Sequence, residues 1–224
     1  MRKFGTLAAL LLVIVIPASA QADIVTAGDY VKFGDRPGSP GGEFLLTVYD
    51  TPGGPAIDQF ITFCVQMTEY MNFTDTFRVG AVSEATDDLP YGDPLDERTA
   101  YLYTQFRNGT LTGYTLGSAT SANLLQKAIW YLEGENVGDQ SGNMFVQAAN
   151  NAVNSGAWSG LGNVRVLNLF FQDGRRAQDQ LTIVPEPSTL ALLGSGLVAL
   201  CIRRRRTGAK QALYRKCFVS STTN

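Results

Sequence analysis

Phe60-Ile61-Thr62-Phe63-Cys64-Val65-Gln66-Met67 is the stretch on which the fold turns. It is rich in aromatic and β-branched side chains and free of Gly and Pro, which suits a pleated, half-buried strand. Alternation along a strand sets Ile61, Phe63, Val65 and Met67 on one face and Phe60, Thr62, Cys64 and Gln66 on the other. Cys64 therefore faces the more polar side.

Working outward, Phe44-Leu45-Leu46-Thr47-Val48-Tyr49 lies between Gly/Pro clusters at 37–42 and 51–55 and reads as a second strand. Residues 77–82 make another, before the acidic turn Asp87-Asp88. The middle of the chain changes period. Asp93 is placed to cap a helix with Pro94 in its first position and Asp96 and Glu97 in its first turn, while Leu95, Leu102, Tyr103 and Phe106 form its apolar face. Arg107 and Gly109 supply the stop. A second helix is expected from Thr120 or Ser121 to Gly134, burying Leu125, Ala128, Ile129 and Leu132, with Gln126, Trp130 and Glu133 recurring on the flank of that stripe. A third, over 143–155, buries Phe145, Ala148, Ala149, Ala152 and Val153. Residues 164–171 and 180–184 read as closing strands. The expected fold is one α+β domain, strand-rich, with a helical insertion.

The two ends are of another kind. Arg2 and Lys3 precede an apolar run over 7–16, then Pro17 and the small residues Ala18, Ser19, Ala20 and Ala22, the pattern of a secretory signal peptide cut after Ala20 or Ala22. Near the other end Pro185, Glu186 and Pro187 precede an apolar run over 190–202 and the block Arg203, Arg204, Arg205 and Arg206. As a helix from Ser188 that run reaches roughly 22 Å, short of a hydrocarbon core of about 30 Å, so it spans by thinning the bilayer or by snorkelling. The arginines stay cytoplasmic and everything before Pro185 lies outside. The chain thus divides into a signal peptide (1–22), an exported domain (23–184), a sorting and membrane segment (185–206) and a cytoplasmic tail (207–224).

Charge and composition exclude several functions for the exported part. Of 18 basic residues, Arg2 and Lys3 fall in the signal and seven lie beyond residue 202, leaving nine against 19 acidic ones once Glu186 of the sorting segment is set aside from the chain's 20. Such a balance does not bind nucleic acid or anionic lipid by charge. The chain has no histidine, so a Ser-His-Asp triad, a Cys-His dyad and the usual His-bearing metal sites are out. Cys201 and Cys217 belong to the anchor and tail, which leaves Cys64 alone in the exported domain without an intramolecular disulfide partner. No cofactor or metal site is expected. Asp87, Asp88, Asp93 and Asp96 lack the spacing of a calcium loop and read better as a solvated turn and a helix cap.

Pro185-Glu186-Pro187, a Gly-containing apolar run and an arginine cluster, in that order, resemble the PEP-CTERM sorting signal of proteins exported by Gram-negative bacteria. The resemblance covers roughly residues 178–206. It implies recognition by an exosortase, a membrane cysteine protease and transpeptidase, after export through the Sec pathway and transient anchoring in the inner membrane. The destination it implies is the cell surface or the extracellular matrix. Fragments named after the C-terminal domain of ice-binding proteins carry the same tail, so that label describes an anchor and not an activity. Here the chain continues over 207–224, beyond where such proteins usually stop.

A second resemblance lies in Phe63-Cys64-Val65 taken with Leu125-Gln126-Lys127-Ala128-Ile129-Trp130. These segments are similar to the thioester domains of bacterial surface adhesins, in which a strand cysteine and a helix glutamine are joined by an internal thioester. The resemblance implies Cys64 and Gln126 as the reactive pair and an amine- or hydroxyl-bearing surface target. A thiol held against a carboxamide can displace ammonia and leave an activated acyl group, a one-shot electrophile from which water must be excluded. Trp130, one turn past Gln126, is placed to act as a lid; Tyr70 is a weaker candidate. Residue chemistry alone leaves two other readings open. One is a passive biofilm or exopolysaccharide matrix component in which Cys64 is a small buried hydrophobe. The other, less favoured because nothing selects an acid pair, is a carboxylate-dependent glycan hydrolase. The reading taken is non-enzymatic.

Overall fold

The computed structural model describes residues 22–34, 42–87 and 92–185. Four strands come first, β1 (Tyr30–Gly34), β2 (Gly42–Tyr49), β3 (Ala56–Phe63) and β4 (Phe77–Ser83), then three helices, α1 (Glu97–Arg107), α2 (Ala119–Leu132) and α3 (Met144–Asn154), then β5 (Val164–Phe170) and β6 (Arg176–Ile183). The helices are thus an insertion between strands, as expected for a strand-rich α+β domain. The strands form one antiparallel sheet in the order β3-β2-β1-β4-β5-β6.

The sheet curls until its two outer strands meet. Cys64, just past β3, makes a bridge with Gln180 of β6, and the Val65 N–H donates to the Asp179 carbonyl at 3.0 Å. Side chains stitch the rest of this seam. The Thr62 hydroxyl donates to the Leu181 carbonyl at 2.7 Å, and the buried Tyr103 hydroxyl of α1 lies 2.9 Å from the Ile61 carbonyl and 3.2 Å from that of Leu181. Meeting edges leave fewer unpaired strand groups for another chain to exploit.

Two apolar clusters follow from that curl. Inside it pack Val31, Phe33, Leu46, Val48, Phe60, Phe77, Val79, Leu167 and Leu169, drawn from every strand but β6, which adds Ala177. Outside the seam, α1, α2 and α3 cover Phe63, Val65, Val164, Val166, Leu181 and Ile183 with Leu102, Phe106, Leu125, Ile129 and Phe145. Where they meet, the end of β3 from Phe60 is buried apart from the half-buried Ile61, and β6 is buried at seven consecutive positions, so the seam is covered on both faces.

Some boundaries differ from the sequence reading. α1 is capped by Asp96, whose side chain accepts from the Arg98 N–H at 2.7 Å, and not by Asp93. Pro94 instead bridges to Ala85, because main-chain bonds from Thr86 to Asp93 and from Leu95 to Glu84 hold this segment extended along the end of β4. Gly109, with φ 68°, takes the left-handed conformation that ends α1 as anticipated. α2 starts slightly earlier than expected, behind the N-cap Ser118. β6 begins at Arg176 and not near 180, its early residues being polar and paired across the seam. Met67 packs with the interior cluster instead of sharing the face of Phe63 and Val65, since β3 ends at Phe63 and the alternation ends with it. The expected signal peptide and most of the sorting segment, including Glu186, Pro187 and the four arginines, lie outside the described residues. Among the described residues no helix is long and apolar enough to cross a membrane.

Candidate functional site

Cys64 follows Phe63, the last residue of β3 paired to β2, and among the described residues its N–H and C=O have no strand partner on that side. Gln126 of α2 supplies both missing bonds. Its Oε1 accepts from the Cys64 N–H at 2.9 Å and its Nε2 donates to the Cys64 carbonyl at 2.7 Å, so one carboxamide does what a neighbouring strand would do. Both residues are completely buried. The fold therefore brings together the two residues that the sequence singled out, 62 positions apart.

The approach of α2 to β2 is set by Gly42. A Cβ at that position would stand 2.8 Å from the Ala122 carbonyl oxygen and 3.2 Å from the Gln126 Cβ, so only glycine lets the strand pass so near the helix. The next residue, Glu43, is fully buried with φ 61°, an uncommon conformation for a side-chain-bearing residue, and its carboxylate accepts from the Gly117 N–H just ahead of α2. Strand start and helix start are thus clamped beside Gln126.

Two more glutamines face the thiol. The Cys64 S–H donates to Gln178 Oε1 at 2.9 Å, and Gln180 Nε2 donates to Cys64 Sγ at 3.3 Å. Gln178 is held in turn by its Nε2 bond to the Gln66 carbonyl at 2.6 Å. Burial pushes the Cys64 thiol up to about 12, with the hydrogen bond from Gln180 acting in the opposite direction. At neutral pH the group is a thiol. Next to it Asp179 lies in a bulge of β6, where Gln178 and Asp179 together face the single Asn168 of β5, and accepts from Asn168 Nδ2 at 2.8 Å and from the Leu169 and Asp87 N–H groups at 3.0 Å each; burial still pushes its carboxyl up to about 7.

Cys64 faces a mixed environment, since it belongs to the apolar cluster that also holds Phe60 and Trp130 while its sulfur is bonded to Gln178 and Gln180. Trp130 is 7 % exposed, and its indole N–H has no hydrogen-bond partner among the described residues. The flank on which Gln126 and Trp130 were expected is thus an interior face. Tyr70 stays largely exposed, stacked against Phe171. The sequence reading missed Gln178 and Gln180; their spacing of two on a strand was the available signal, weakened because polar alternation there reads as a solvated face. Of the four acidic residues near the end of β4, Asp87 pairs with Arg176 at 2.9 Å and Asp96 caps α1 and pairs with Arg98, while Asp88 lies outside the described residues. Among the described residues no group of three or more His, Cys, Asp or Glu is placed to hold a metal.

Comparison with known protein families supplies the remaining identification. Residues 184–206 match the PEP-CTERM protein-sorting motif. The PEP-CTERM match supports export and exosortase-dependent sorting to the cell exterior, as such signals are used in Gram-negative bacteria. It begins one residue after β6 ends, and the Val184 N–H is still bonded to the Asn163 carbonyl at 2.9 Å. The PEP-CTERM segment therefore joins the folded domain with no intervening linker. No curated protein and no solved structure was found to match the chain.

Proposed function

We propose that this protein is a non-enzymatic surface component, delivered by the PEP-CTERM and exosortase route, that attaches covalently to its target through a Cys64–Gln126 thioester. The observation that carries the reading is the seating of the Gln126 carboxamide on the backbone of Cys64 in a site closed to solvent. In the forming step Sγ of Cys64 attacks Cδ of Gln126, the C–N bond breaks, and the thiol proton leaves with nitrogen as ammonia. An amine- or hydroxyl-bearing group on a surface or exopolysaccharide then takes the acyl carbon and frees the Cys64 thiol. The reaction occurs once per molecule. Burial serves it by keeping water from the acyl group until the target is engaged. Two grooves, of about 430 and 540 Å³, open elsewhere on the domain, and neither is lined by Cys64 or Gln126.

A second reading, a passive matrix component, is favoured by one observation: the Cys64 thiol is held protonated by burial and hydrogen-bonded to Gln178, as an inert core cysteine would be. Intact mass before and after methylamine separates the two. A thioester makes the chain lighter by one ammonia, and methylamine adds to it with exposure of one thiol; Cys64→Ala abolishes both changes. The full sequence mass, with no adduct and a thiol that was never acylated, supports the passive reading. A mass heavier than the thioester form by one water marks a thioester that has hydrolysed.

A further inference from the structure

We propose that Gln180 is a catalytic residue of the capture step, holding the departing sulfur of Cys64 with one half of its carboxamide and the entering primary amine with the other. This rests on the thioester reading and goes beyond it by assigning the group that receives the nucleophile. Gln180 stands directly opposite Cys64 across the seam and is completely buried. Its Nε2 reaches Cys64 Sγ and the main-chain carbonyl of Gln178, both at 3.3 Å. The second contact fixes which way the amide points, because a flip would set two oxygens against each other. Its Oε1 is then left buried with no hydrogen-bond partner among the described residues. Leaving such an acceptor unpaired costs about 1–3 kcal/mol, and buried polar groups in folded proteins are otherwise nearly always satisfied. The orphan oxygen belongs to the same carboxamide that touches the sulfur, so a donor bound to it sits beside the bond that must break.

A primary amine supplies that donor. One N–H is given to Gln180 Oε1, which aims the nitrogen lone pair at Cδ of Gln126. The C–N bond forms and the C–S bond breaks with its electron pair passing to Sγ, where the Gln180 Nε2–H stabilises the developing negative charge. The proton shed by the new ammonium goes to Sγ. The products are an amide between Gln126 and the target and the free Cys64 thiol, with no other reagent consumed. A lysine side chain on a protein surface has the required chemistry.

The test compares the full chain, purified in detergent, as wild type, Gln180→Met and Gln180→Glu. The rates of methylamine capture and of spontaneous hydrolysis are followed by intact mass. Gln180→Met keeps the length of the side chain and removes both polar groups, so the ratio of capture to hydrolysis should fall about tenfold, the worth of one hydrogen bond to the nucleophile. A purely structural role would loosen the site and move both rates together, leaving the ratio unchanged; that result overturns the assignment. Should Gln180→Met fail to fold, Gln180→Glu decides. It keeps an acceptor and loses the donor to sulfur, so capture must slow with the ratio retained, and capture at the wild-type rate overturns the assignment. A wild-type chain that never carries a thioester removes the parent reading and this one together, whereas a wild-type thioester with an unchanged Gln180→Met ratio removes only this one.

Discussion

At the scale of single residues, Gln126 has two separable roles. Its carboxamide satisfies the backbone of Cys64 and not the thiol, so replacing the cysteine leaves those two bonds in place. In a Cys64→Ala background, adding Gln126→Ala strands a buried N–H and a buried C=O, and should cost about 3 kcal/mol by urea denaturation. Cys64→Ala alone, which trims one small buried group, should cost about 1 kcal/mol. Asp179 carries a pH signature. Its folded carboxyl is pushed up to about 7 by burial, against about 3.9 in an unfolded chain, and Glu133, also largely withdrawn from water, is likewise raised to about 7. A raised carboxyl pKa means that the folded state binds more protons between the two values, so the stability these groups contribute is full below about pH 4 and is lost as pH rises through 7. The urea midpoint of wild type should therefore fall between about pH 4 and 8, and Asp179→Asn should flatten that slope.

At the scale of elements, the site depends on how closely α2 lies against the start of β2. Gly42→Ala would push a methyl group to 2.8 Å from the Ala122 carbonyl, nearer than real contacts allow, and α2 would have to shift. The expected cost is about 1–3 kcal/mol. The shift also moves Gln126 off Cys64, so intact mass should show the full sequence mass in this variant where wild type shows the loss of ammonia. Much of α2 was legible beforehand. Leu125, Ala128, Ile129 and Leu132 recur at helical spacing and do pack in the outer cluster. Gln126 and Trp130 look like a flank in the sequence because a helix taken alone has one apolar stripe, whereas α2 is covered on a second side as well by the curled sheet. Pro94 stands outside α1 for a similar reason. Its fit to a first helical turn is a local preference, and the bonds to the end of β4 outweighed it.

At the scale of the whole molecule, the two ends of the domain are pinned to each other. Asp23 lies just after the expected signal cleavage sites, and its N–H donates to the Ile183 carbonyl at 2.7 Å. Its carboxylate accepts from the Ile183 N–H and the Thr182 hydroxyl at 2.9 Å each, and from both terminal nitrogens of Arg107 at 2.7 and 2.9 Å. Arg107 also lies over the Phe60 ring at 5.3 Å and donates to the Tyr103 hydroxyl that bridges the seam. Removing one partner of so buried a pair leaves the other charge uncompensated. Arg107→Ala should therefore cost about 3–5 kcal/mol in a denaturation experiment. It should also expose the segment near Asp23 to proteolysis, read by mapping the first cleavage site.

The sequence by itself determined the delivery of this protein, because sorting signals are read as linear patterns: Pro185-Glu186-Pro187, the apolar run and the arginines stand in order within the segment that matches the PEP-CTERM motif. It also determined the presence of strands around a helical insertion, since hydrophobic period and turn chemistry are local. Only the tertiary structure decided what surrounds the thiol. Cys64, Gln126, Gln178 and Gln180 come from a strand end, a helix and the last strand, and they meet because the sheet curls until β3 and β6 touch. No local pattern encodes that closure. It follows from burying both faces of the seam at once, a property of the packed whole.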